Sequence, residues 1–259
     1  MNPQMERCES GPADADRTVL LLPGGLNRAR SFAEVMGEPA LADVHLVAAT
    51  LPGHGGTPAP DDFSIETAAG LAAQLAIEID CDVVVGFSMG ASVALEMVTS
   101  GAFSGPVVLL GISLSVADEP RFLIALDRLG VVLGSLPYSA MRQMMGSMTK
   151  HVRVPEARRA ELLDDLRHND APVMRRIFHD YLRFLGRDAA PEYRLCHAGV
   201  PVWVVHAEKG DGGLTTDERH SLEACPNAKL VTIPGTSFML PNEESRRIAD
   251  VMVEALAQT

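Results

Sequence analysis

Short, almost wholly apolar runs recur along this chain, and most stop at glycine, proline or a small polar residue. Thr18–Leu22 ends at Pro23-Gly24-Gly25, 44–49 at Leu51-Pro52-Gly53-His54-Gly55, and 82–87 at Ser88, with further runs at 106–110, 201–206 and 229–233. Continuous apolar strands of this length are buried on both faces, as in a parallel sheet. Helical spacing fills the gaps. In 64–78 the apolar positions are Ile65, Ala68, Ala69, Ala72, Leu75 and Ala76, Met89–Thr99 is a small-residue helix, and 215–224 and 242–257 close the pattern. The last of these opens with Asn242 as a cap and Glu243 and Glu244 in the first turn. Strands alternating with helices predict an α/β fold, a doubly wound, mostly parallel sheet of about six strands.

From 115 to 198 the alternation breaks, and the periodicity predicts helices at Arg121–Leu133, 138–150, 155–168 and 172–186. An all-helical insertion between two strands reads as a lid over the sheet's C-terminal edge, where ligands bind in such folds. The predicted organisation is a polar N-terminal tail (1–17), a core made of 18–114 and 199–259, and a helical lid (115–198).

Charge narrows the partners. The net charge is −12 with both signs interleaved, so no basic face is offered to nucleic acid. No apolar run reaches the roughly 20 residues needed to cross a bilayer, and the N-terminus lacks the features of a signal peptide. The expectation is a cytoplasmic protein with a small-molecule substrate and no membrane partner. Cys8, Cys81, Cys196 and Cys225 are scattered and are expected to be reduced thiols. With no metal-ligand cluster and no phosphate-binding glycine fingerprint, neither a metal nor another cofactor is expected.

The chemistry is carried by Gly86-Phe87-Ser88-Met89-Gly90, a G-x-S-x-G sequence at the end of a strand and the start of a helix. That context turns the chain sharply and lifts the serine hydroxyl above the sheet, with helix N-terminal N–H groups beneath it. From Thr18 to Leu256 the chain resembles the α/β-hydrolase superfamily. Leu22-Pro23-Gly24-Gly25 stands where that family has His-Gly before its oxyanion loop, and Leu51-Pro52-Gly53-His54-Gly55 matches its Pro-Gly-His-Gly turn. The resemblance implies Ser88 as nucleophile, the N–H groups of Gly25 and Met89 as oxyanion hole, and Asp211 as the triad acid. Asp211 comes one residue later than usual, with Gly210 at the expected place.

The expected histidine is missing. After Pro234-Gly235 the chain reads Thr236-Ser237-Phe238-Met239, so Phe238 occupies the imidazole position, and no histidine follows His220. A serine without a base is a poor nucleophile, and loss of the base costs about a millionfold in turnover in a serine protease. His54 and His206 read as structural, His151, His168 and His179 belong to the insertion, and His45, His197 and His220 look peripheral. Met141, Met144, Met145 and Met148 form one helix face that packs or lines a cavity, and Phe178, Tyr181 and Phe184 allow the same two readings. Arg158-Arg159 and Arg175-Arg176 read as solvated faces. Three functions stay open: acyl hydrolysis with a non-standard triad, a lyase or cyclase step that uses only the oxyanion hole, and ligand binding without catalysis.

Overall fold

The computed structural model describes residues 5–187, 190–209, 213–237 and 239–259. Seven strands form one sheet in the order β1-β3-β2-β4-β5-β6-β7. They are β1 (Arg7–Ser10), β2 (Thr18–Leu22), β3 (His45–Ala49), β4 (Val83–Phe87), β5 (Val107–Leu110), β6 (Val202–Lys209) and β7 (Ala228–Thr236). All neighbours run parallel except β1, which is antiparallel to β3 with Arg7 opposite Ala49. The segment expected as a polar tail thus supplies an edge strand. Its half-buried sequence RCES has no apolar run to announce it, because pairing along an edge draws mainly on backbone groups.

Residues alternate strictly between the two sheet faces, and both faces are covered. Leu20, Leu22, Val84, Leu109 and Val204 pack under α2 (Ile65–Glu78) and α3 (Met89–Thr99), while α1 (Ala33–Met36) lies on the opposite face. Val19, Leu21, Val85, Leu110 and Val205 meet α1 and α11 (Ser245–Leu256) on the other face. Every side chain of β2, β4 and β5 is buried, which is why these strands read as unbroken apolar runs. Ser64 caps α2 by accepting from Thr67 N–H at 3.2 Å. The expected Asn242 cap is not made. The chain breaks there into α10 (Leu240–Glu243) and α11, and Asn242 instead donates to Ser31 O at 2.8 Å.

Between β5 and β6 lie α4 (Arg121–Leu133), α5 (Leu136–Met148), α6 (Glu156–Arg167), α7 (Ala171–Leu185) and α8 (Pro191–His197); α9 (Thr216–Glu223) follows β6. Tyr138, Met145, Met174, Ile177 and Tyr181 of the insertion share one apolar cluster with Leu26, Ile112 and Leu114 of the core. Arg158 and Arg159 are not solvated. Arg158 bonds Glu34 at 2.7 Å and Arg30 O at 2.6 Å, while Arg159 donates to Val152 O and Val154 O. Periodicity places such groups on an outer face but cannot show that another element will cover it.

The cysteines divide two and two. Cys8 and Cys81 are free, and Cys196 at the end of α8 is joined to Cys225 beyond α9. Four dispersed cysteines carry no spacing that reveals this pair, since only the fold brings residues 29 apart together. Tying that loop restricts the unfolded chain and is worth about 3.6 kcal/mol. Reduction is expected to lower the urea midpoint accordingly in the wild-type chain and to leave a Cys196→Ser/Cys225→Ser variant unmoved.

Candidate active site

The sheet changes winding direction between β2 and β4, its adjacent parallel strands, with Leu22 opposite Gly86. At such a switch point the loops leaving the two strands splay to opposite sides and open a crevice. One loop begins Pro23-Gly24-Gly25; the other is Ser88. Ser88 has φ 51° and ψ −118°, a left-handed conformation that costs a non-glycine residue about 1–3 kcal/mol. Its N–H donates to Leu110 O at 2.8 Å, and its carbonyl accepts from Ala91 N–H and Ser92 N–H. The residue stands half-buried at the head of α3. A Cβ on Gly86 would overlap the Gly90 carbonyl, and one on Gly90 would overlap Leu22 O. The two glycines of the motif therefore let α3 start directly against the β2–β4 pair.

Gly25 and Met89 are brought into contact: a Cβ at Gly25 would lie 3.0 Å from Met89 Cε. Met89 in turn abuts His54, whose Nε2 is 3.3 Å from Met89 Sδ. His54 Nδ1 lies 3.2 Å from Pro52 O, and because a carbonyl only accepts, the ring proton belongs on Nδ1. Burial pushes the His54 pKa down to about 4, so the imidazole is neutral at pH 7. It buttresses the residue after Ser88.

No hydrogen bond among the described residues joins an imidazole to the Ser88 hydroxyl. His45 faces Glu9, His168 bonds Asp164 O, His179 bonds Asp127 and His197 bonds Tyr193 O. His206 is fully buried within β6. Asp211 and Phe238 lie outside the described residues. Their stems converge, since Lys209 at the end of β6 pairs with Thr236 and its carbonyl accepts from Ser237 N–H at 3.0 Å.

Asn169, just beyond α6, was not marked by any sequence signal; an Asn after a helix reads as an ordinary end. It is fully buried. Its Nδ2 donates to Leu26 O at 2.9 Å and its Oδ1 accepts from Gly55 N–H at 2.8 Å, so one amide grips both loops over the sheet. Leu26 itself sits at φ 67°, another left-handed residue that needs external support. Arg30 adds a second hold through its Nε at 2.6 Å from Asp165, a carboxylate 1% exposed.

Beside Leu26 an apolar cavity of about 210 Å³ opens between core and insertion, lined by Leu123, Met141, Met145, Leu166 and Phe178 among others. Two members of the methionine stripe thus line a cavity, whereas Met144 faces solvent. Glu119 on the cavity wall accepts from Tyr181 Oη at 2.8 Å. Burial, reinforced by the Glu119 charge, holds the Tyr181 phenol well above its usual range, so it stays protonated.

A buried carboxyl pair joins the start of the insertion to α9. Asp118 accepts from Leu114 N–H and Ser115 N–H, while Glu218 caps α9 through Thr215. Burial pushes Asp118 up to about 6, with the Glu218 charge adding to it against the two backbone bonds. For Glu218 burial works upward too, but bonds from Thr215 prevail and hold it below its ordinary value.

This geometry has the features of a hydrolase framework, and the alpha/beta hydrolase family matches the chain over residues 19–251; the chain belongs to that family. A hydrolase from Oleispira antarctica superposes with a TM-score of 0.77 at 14% identity, covering 99% of this chain and 96% of that one. MenH from S. aureus gives 0.74 at 17% identity, covering 97% of each chain. An esterase from Thermogutta terrifontis, solved with malate bound, gives 0.73 at 18%, covering 98% and 94%. These likenesses are likenesses of fold. Among curated proteins nothing matches the chain.

Two outcomes follow from the clamp and the carboxyl pair. Asn169→Ala strands Leu26 O and Gly55 N–H and is expected to cost about 2–3 kcal/mol in urea unfolding. Because Asp118 binds its proton more tightly folded than unfolded, its contribution is full below its ordinary value of 3.8 and is lost as pH rises through about 6. Asp118→Asn is expected to flatten that decline, measured as unfolding free energy across this pH range.

Proposed function

We propose that this protein is an esterase-like acyl hydrolase that uses Ser88 against the carbonyl of a small, fairly apolar molecule. The observation that carries the reading is the strained Ser88 turn at the switch point, with Gly25 packed against Met89 beside it. A left-handed serine persists only where the surroundings enforce it, and such strain concentrates at functional sites. In this reading the N–H groups of Gly25 and Met89 face the carbonyl oxygen as it gains negative charge. The Ser88 Oγ–carbon bond forms while the hydroxyl proton passes to an acceptor, and the leaving group departs with a proton. Water then releases the acid and restores the serine. Asp211 is the proposed acid of the triad, and the helical insertion (115–198) acts as the lid. The apolar cavity beside Leu26 suits an aliphatic or aromatic portion of the substrate. Solved structures described as an esterase and as a thioesterase domain share the framework, which suits oxygen or sulfur esters.

One observation favours a second reading. No imidazole among the described residues is bonded to Ser88, so the same donors could stabilise an enolate in a lyase or cyclase step that needs no serine attack.

A fluorophosphonate probe separates the two. Labelling of Ser88, abolished with ester turnover in Ser88→Ala, is the outcome expected of the hydrolase. Turnover without labelling, unchanged in Ser88→Ala, would transfer the case to the second reading. Phe238→His is expected to raise ester hydrolysis by at least about tenfold, since a positioned base contributes about 10²–10⁴-fold.

A further inference from the structure

Ten large apolar side chains stand exposed among the described residues, and seven of them lie between Phe122 and Met144, on the α4–α5 hairpin. They gather at its tip: Leu129, Val131, Val132 and Leu133 approach the turn at Gly134, and Leu136 leaves it. Val132 is 81% exposed and Leu136 70%. Water contact on this scale is costly, and such clusters mark interaction sites.

The arrangement of the cluster decides between possible occupants. Val131, Val132 and Leu133 are consecutive on a helix, so at roughly 100° per residue they point in three different directions. Leu129, Val132 and Leu133 form a stripe of residues three and four apart, which a folded partner with one fixed face would cover, but Val131 and, beyond the turn, Leu136 lie outside it. Consecutive exposed residues around a protruding tip suit a fluid apolar phase that closes around them.

Local charge points the same way. The chain carries 22 basic against 34 acidic residues, yet from 121 to 150 there are four basic residues (Arg121, Arg128, Arg142 and Lys150) and one acidic residue, Asp127. Asp127 is itself bonded to His179 at 3.1 Å. Arg175 of α7 is exposed nearby, close enough to Tyr138 of α5 to influence it electrostatically. An apolar tip on a hairpin with more basic than acidic residues, in an otherwise acidic protein, complements an anionic lipid surface. Phe122, Met141 and Met145 of the same hairpin line the apolar cavity, so the element that meets the lipid also walls the chamber beside Leu26.

We propose that the α4–α5 tip inserts shallowly into anionic lipid surfaces, holding the protein at a membrane without crossing it. Spanning requires length, and among the described residues no helix is long and apolar enough to cross a membrane. Shallow insertion requires only exposure, which depends on the packing of α4 and α5.

The test is co-sedimentation of the full chain with phosphatidylglycerol–phosphatidylcholine vesicles and with pure phosphatidylcholine vesicles, in the absence of substrate. Binding to the anionic vesicles is expected to exceed binding to neutral ones by about tenfold or more and to weaken at high salt. Val132→Asp/Leu136→Asp, which alters only exposed positions, is expected to reduce it by at least about tenfold with an unchanged circular dichroism spectrum. Arg128→Gln/Arg142→Gln is expected to remove most of the preference for anionic vesicles. Absence of vesicle binding, or full binding by the Asp variant, overturns the proposal. So does sedimentation velocity that shows a dimer dissociated by Val132→Asp with no lipid binding, since a second copy would then cover the tip.

Discussion

The crossing of α3 over the β2–β4 pair is the contact on which the other features depend. A helix can begin directly at a strand's end only if its first turn lies against the neighbouring strand without side chains between. Gly86 and Gly90 remove those side chains, and no room is left for a Cβ between the Gly90 backbone and Leu22 O. Ser88 lies between them, and the left-handed torsion it adopts is the geometric price of that approach. The rest of the core supplies the cohesion to hold it: α3 is buried from Met89 to Val98, so the strained residue is anchored to one of the most enclosed helices of the fold.

Around this fixed point the loops after β2 and β3 are held by the insertion as well as by the core. Leu26 belongs to the loop after β2 and Gly55 to the loop after β3. Asn169 supplies a donor to one and an acceptor to the other, and Arg30–Asp165 fastens the same region. The insertion is thus part of the machinery that shapes the crevice. Met89, between Gly25 and a neutral, buried His54, completes the wall from the side.

Much of this could be read along the chain, for physical reasons that also explain what could not. The inner strands are buried on both faces, so their apolar runs are continuous and their ends marked by glycine; β2, β4 and β5 fall where the pattern puts them. Helices of the insertion reveal themselves by periodicity, and α4 coincides with the expected segment. Periodicity is silent on partners. Arg158 looks like any surface arginine until α6 is laid against Glu34, Asn169 like any helix end until Leu26 arrives, and Cys196 like a lone thiol until β6 and α9 bring Cys225 alongside. The edge strand β1 was invisible because backbone pairing leaves little trace in side-chain type.

The grip of Asn169 on two core loops bears on how such proteins diversify. An insertion attached only at its ends could be exchanged between relatives as a cassette, bringing a new chamber to an old scaffold. Here the cassette carries the pin that shapes the scaffold's own rim, so a transplanted insertion without an equivalent amide would leave Leu26 and Gly55 unpinned. Recombination at this junction therefore has to move residues on both sides of it together, and change in the chamber is coupled to change in the rim of the crevice.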